Sequence, residues 1–147
     1  MIELVTVMIV IGILAASAVA RFDGAMYRER GFHDSLKAAL QFARKVAVAK
    51  RRQVCVDVAG LGDMGAGAVS FTIVSATPET GVAACPAATN LNLAGGSANA
   101  ITTPSGVSLT AAAVIYFDAL GRPSATSSFS STGQPDIVVE AETGYVH

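Results

Sequence analysis

The chain has 147 residues, enough for one compact head and too few for two domains that would each bury a core. It is 52% hydrophobic and only 14% charged, with a mean hydropathy of +0.51 concentrated in the first twenty residues, so part of it avoids water. The net charge of −1 hides an asymmetry: residues 21–52 hold nine Lys and Arg against three acids, and residues 53–147 hold Arg122 against seven acids. That is +6 beside −6, which reads either as a solvated basic helix next to a mildly acidic head, or as complementarity between the helix of one copy and the head of another.

Residues 4–20, LVTVMIVIGILAASAVA, carry no charge, and at about 1.5 Å per residue they cross most of a bilayer core of about 30 Å. Arg21 closes the segment. The run begins at once with Ile2 and Glu3 rather than with a basic stretch, so it does not read as a cleaved secretory signal and is expected to be retained. A carboxylate in such a segment costs about 2.5–3.5 kcal/mol on insertion scales, so Glu3 either sits among headgroups or has a partner.

The stretch IELVTVMIVIGILAA resembles the N-terminal signature of type IV pilins and type II secretion pseudopilins, matched in order by Ile2, Glu3, Leu4, Gly12, Ile13, Leu14, Ala15 and Ala16. The resemblance implies a filament subunit. Glu3 would be its assembly residue, pairing with a neighbour's terminal amine, and Leu4, Val7, Ile9, Ile11, Gly12, Ile13 and Leu14 would belong to the membrane segment and then the filament core. The family's basic leader and first two mature residues are missing here, and Met1 stands where the family has Leu. A longer natural chain is therefore expected, with leader cleavage by a prepilin peptidase and methylation of the new amine.

Apolar spacing continues through Phe22, Met26, Phe32, Leu36, Leu40, Ala43, Val46 and Ala47, with most of the cations off that face, and no Pro occurs before Pro78. This predicts one helix over about 2–52, of which 2–20 is the transmembrane or filament-core half and 21–52 the amphipathic half that packs on the head. Gly12, Gly24 and Gly31 are its weak points, each costing up to about 1 kcal/mol. The segment SLKAALQFARKVAVAKRRQVCVDV is similar to the GspH/FimT branch of pilin-like proteins through Ala43, Arg44, Ala47, Arg51 and Val54, and IYFDALGRPS and DIVVEAETGYVH resemble its late strand and closing hairpin. The implied fold class is α+β, the pilin fold: a long N-terminal helix against an antiparallel β-rich head.

Within 53–147, the runs QVCVDVA, AVSFTIVS, GVSLTAAAVIYFD, SATSSF and DIVVEAETGYV are β-rich and separated by Gly, Pro, Asn and Ser clusters, which predicts six to eight short strands. Residues 60–105 match the family only as a variable region, and PSATSSFSSTG reads as an exposed turn rather than a glycosylated tract. Cys55 and Cys85 are either two buried thiols or one disulfide; a bridge over this loop would stabilise a small exported head by on the order of 3 kcal/mol.

GLGDMG at 60–65 has nucleotide-binding spacing but runs into a strand rather than a helix, so it reads as a hairpin loop. His33 and His147 lack any catalytic neighbourhood and are expected to be exposed. Asp118 is placed to cap its turn or pair Arg122, and Glu140 and Glu142 to share one strand face. No catalytic residue, metal site or cofactor is expected. Some relatives use basic residues near a C-terminal Gly in DNA uptake, but Gly144 has no Lys or Arg within twenty residues and the acidic head repels phosphate, which argues against DNA. The reading is a structural subunit of a type IV pilus or a type II secretion pseudopilus, with a filament-displayed binding module for DNA or adhesion as the alternative. It would be held in the bacterial inner membrane with its head in the periplasm, then assembled with other pilin subunits by dedicated machinery.

Overall fold

The computed structural model describes residues 2–19, 24–59, 67–74, 88–94, 99–111 and 114–147. Helix α1 spans Ile2–Val19 and helix α2 spans Gly24–Lys50; the join at 20–23 of the single helix predicted from sequence lies outside the described residues. Eight strands follow: β1 (Val54–Ala59), β2 (Ala68–Val74), β3 (Ala88–Asn90), β4 (Ala100–Thr102), β5 (Leu109–Thr110), β6 (Val114–Phe117), β7 (Ser127–Ser131) and β8 (Ile137–Val139). They pair antiparallel in a five-stranded sheet of order β3-β2-β1-β6, with β4 beside β3 on the β2 edge, and a three-stranded sheet of order β5-β7-β8.

The core lies between α2 and these sheets. Phe32, Leu36, Ala39, Leu40, Ala43 and Ala47 recur in steps of one, three and four, which puts them on one helix face, and all are buried. Opposite them stand Val54, Val56 and Val58 of β1, whose registered partners Ile73, Phe71 and Val69 on β2 and Phe117 and Ile115 on β6 point the same way. Leu36 and Leu40 are fully buried, and each such side chain contributes about 1.5–3 kcal/mol.

Several local expectations change. The run 106–118 divides into β5 and β6, which belong to different sheets. The Ser-rich tract, read both as an exposed turn and as holding the β-rich run SATSSF, contributes β7 over Ser127–Ser131, where Ser127, Phe129 and Ser131 are buried in alternation with more exposed Ser128 and Ser130. Strands β3 and β4 fall in the region read as variable. The closing hairpin is shorter than expected: β8 ends at Val139, a turn follows, and the chain returns so that Val146 bridges Val139. Glu140 and Glu142 therefore do not share a strand face; Glu140 instead meets His147 at 3.1 Å. The loop GLGDMG lies outside the described residues.

Helix α2 ends without a glycine. Arg51 adopts φ 48°, Arg52 N–H donates to Ala47 O at 3.1 Å, and Arg51 N–H donates to Val48 O at 3.3 Å, so the last turn closes through a left-handed residue and delivers the chain directly into β1. Two glycine turns pack against the same end of the helix. Gly121 (φ 80°) lies where a Cβ would meet Val48 Cγ2 at 2.8 Å, and Gly144 (φ 64°) lies where a Cβ would overlap the Gly121 carbonyl oxygen. Both positions need left-handed backbone and a missing side chain at once.

Gly144→Ala is expected to destabilise the head by at least about 2 kcal/mol, because it adds backbone strain to a steric overlap. Arg51→Gly is expected to stabilise it by about 0.5–1 kcal/mol through relief of the left-handed residue. Denaturant unfolding of the full chain in detergent checks both signs.

Candidate assembly surface

Helix α1 is apolar all round, and its residues 2–16 are all exposed. Leu4, Val7, Ile9, Ile11, Ile13 and Leu14 are between 52% and 65% exposed, and Ile2 is 83% exposed, on a chain whose head has a well-packed core. A helix without a polar face needs an apolar environment, and exposed apolar area on this scale marks an interaction surface. Gly12 leaves open space where a Cβ would stand. Glu3 sits exposed in the first turn, where a negative charge suits the helix dipole, and its backbone carbonyl accepts a hydrogen bond from Thr6 Oγ1 at 2.8 Å. At about 27 Å, α1 falls short of a bilayer core of about 30 Å. Among the described residues no helix is long and apolar enough to cross a membrane.

Helix α2 carries the charge. Arg30, Lys37, Arg44 and Arg51 recur every seven residues, so the three within the helix line one flank; this signal is present in the sequence but is hidden by the apolar pattern beside it. Among the described residues the ion pairs are His33–Asp34, Arg122–Asp118 and His147–Glu140, so none uses a Lys or Arg of α2.

On that flank lies a cavity of about 160 Å³ lined by Gln41, Arg44, Lys45, Tyr145 and Val146. Arg44 Nε is buried without a hydrogen-bond partner. A Cβ at Gly144 would stand 3.2 Å from it and one at Gly121 3.5 Å, so the two glycine turns make its room. An unpartnered buried donor costs about 1–3 kcal/mol, more when charged, which sets Arg44 apart from the solvated cations. Sequence separation concealed this: the basic residues near Gly144 are a hundred positions away in the chain and adjacent in space.

Asp118 does both things expected of it: Oδ1 accepts from Leu120 N–H at 2.9 Å and Arg122 N–H at 2.8 Å, and Oδ2 accepts from Arg122 Nε at 3.1 Å. His147 is exposed as expected, stacked on Tyr145 with ring centres 5.4 Å apart. His33 is not exposed: it is buried beside Phe32 on the core side of α2, with Nδ1 3.4 Å from Asp34 Oδ1. The amphipathic register places residue 33 next to the core stripe, and a single aromatic polar residue there is read too easily as surface. Among the described residues no three metal-ligating side chains gather. Cys55 points away from α2 yet is only 1% exposed and is not a free thiol; Cys85 lies outside the described residues, so the pair itself is not described.

Two crystal structures of the type IV minor pilin FimU of Pseudomonas aeruginosa (strain PAO1) share this architecture. One, in space group P21, gives a TM-score of 0.57 at 17% identity over 83% of this chain and 88% of that one. The other, in space group P65, gives 0.52 at 16% identity over 80% and 90%. No family model and no curated protein matches the chain. The fold is therefore the pilin α+β fold, with the sheet-rich region on an N-terminal helix.

The exposed apolar helix predicts how the chain partitions. In detergent phase separation the full chain should collect in the detergent phase, and a variant carrying Ile11→Lys with Leu14→Lys should move to the aqueous phase, because each central Lys opposes apolar burial by about 2.5–3.5 kcal/mol.

Proposed function

We propose that this chain is a structural pilin-like subunit, of the minor-pilin or pseudopilin kind that the GspH/FimT resemblance implies, and that it polymerises through α1. The observation that supports this best is the contrast between a packed pilin-fold head and an α1 with every described side chain exposed. Before assembly α1 is held in the inner membrane, the head lying in the periplasm; on assembly the apolar helices exchange lipid for one another. That exchange alone supplies little driving force, since lipid tails are as apolar as Leu and Ile, so packing and polar pairs must decide register. Glu3 supplies the pair, meeting a neighbour's terminal amine, and Gly12 leaves space for a second helix to approach closely. The role is assembly rather than catalysis. Other pilin subunits are its partners, with a prepilin peptidase and assembly machinery acting on it. Cys55 and Cys85, the only cysteines, form the bridge that fixes the head; buried Cys55 not being a free thiol supports this.

Glu3→Ala in the full-length gene is expected to leave membrane association intact and to remove the subunit from sheared or purified filaments by at least tenfold, as read by fractionation and immunodetection. Normal incorporation of the variant would overturn the mechanism.

A further inference from the structure

We propose that the cavity between α2 and the C-terminal turn is a carboxylate-binding site, filled on assembly by an acidic side chain from the head of another copy of this chain. The proposal rests on the assembly reading above and adds a second contact to it, remote in sequence from Glu3. Arg44 forms the floor and Lys45 and Tyr145 the rim. The guanidinium is a donor with no acceptor atom, and its Nε is buried without a hydrogen-bond partner, so the chain holds a donor that it does not itself satisfy. Room for that donor is actively kept: Gly121 and Gly144 are the two residues whose side chains would crowd it, and both adopt left-handed backbone. At about 160 Å³ the space takes one side-chain carboxylate and is well below the size of an ordinary cofactor pocket, about 300–1,000 Å³. The planar fork of an Arg matches a carboxylate, and the neighbouring ammonium of Lys45 adds a second positive charge that forms no ion pair among the described residues.

Charge identifies the occupant. Residues 53–147 carry seven acids against Arg122. Asp118, Asp136 and Glu140 are engaged by Arg122, Ser130 and His147, whereas Asp57 on β1 and Glu142 in the turn before Gly144 are exposed and make no side-chain hydrogen bond or ion pair among the described residues. A second copy thus offers free carboxylates to a site that lacks one.

The test uses the full chain reconstituted in neutral phosphatidylcholine vesicles, with energy transfer between labelled copies reporting association. Arg44→Gln is expected to weaken association at least tenfold and Lys45→Gln severalfold. One of Asp57→Asn or Glu142→Gln should match the loss, and combining it with Arg44→Gln should add nothing further. Thermal unfolding confirms that each variant folds; if Arg44→Gln does not, exposed Lys45→Gln carries the same cycle. Unchanged association in the basic variants, or losses that simply add with both acidic variants, overturns the proposal. So does a result in which Lys45→Gln and Arg44→Gln abolish binding of inorganic phosphate, of phosphatidylglycerol vesicles or of a DNA duplex while association is untouched. If the basic variants are silent but Glu3→Ala still blocks filaments, the site falls and the assembly reading stands. If Glu3→Ala assembles normally, the assembly reading falls whatever the site does.

Discussion

The close seat of α2 on β1 and β6 is the constraint from which the rest of the head follows. Ala39, Ala43 and Ala47 recur every four residues on the buried face, so the helix backbone comes near enough for Val54, Val56 and Phe117 to fill the space between larger neighbours Leu36 and Leu40. That closeness limits what can border the helix. Its last turn must reverse sharply into β1, which Arg51 does in a conformation that suits glycine better. The loops that reach its flank must shed their side chains, which Gly121 and Gly144 do. Farther back along α2, Glu29 lies over the turn at Gly133 in the same way. The sheets are thus folded onto a helix, and the helix decides where glycine is needed.

What was legible in the sequence is what repeats locally. An uncharged apolar run revealed α1, apolar steps of three and four revealed α2, and β-rich composition between turn residues revealed β1 and β2, because each depends only on residues within a few positions of one another. The short strands β3 and β4 escaped for a physical reason: three residues such as Ala88–Asn90 or Ala100–Thr102 have no intrinsic pattern and become strands only because the edge of β2 offers them partners. β7 was half-hidden by its serines, which usually signal turns, although Phe129 between Ser127 and Ser131 carries the alternation. Of the candidate site, Glu3 and the apolar run were readable through their resemblance to pilins, since a local motif survives in one dimension. The Arg44 cavity was not, because it joins residue 44 to residues 121 and 144–146, and no spacing rule connects positions so far apart.

The chain presents two chemically different surfaces, and in the proposed assembly they would divide the work. Helix α1 presents apolar side chains in every direction, so it accepts lipid and other apolar helices almost equally. Such a surface holds a subunit in either place without choosing between registers. A buried guanidinium behaves in the opposite way: it gains little from lipid and much from one carboxylate at hydrogen-bonding distance, and the gain vanishes if the approach is displaced by a few ångströms.

These two terms also differ in range and in response to the medium. The field of a helix whose cations form no ion pair among the described residues extends about 8–10 Å at ordinary ionic strength, far enough to favour copies approaching head to helix before any contact forms. Apolar exchange acts only at contact and is indifferent to salt. In the proposed assembly, long-range attraction would orient the subunits and burial of α1 would then retain them. The order matters because the reverse sequence would bring together helices with no preferred rotation about their axes. A chain with an all-round apolar α1 needs its specificity elsewhere, and in this molecule exposed Glu3 in the first turn and the buried Nε of Arg44 on the charged flank of α2 are the polar groups placed to supply it.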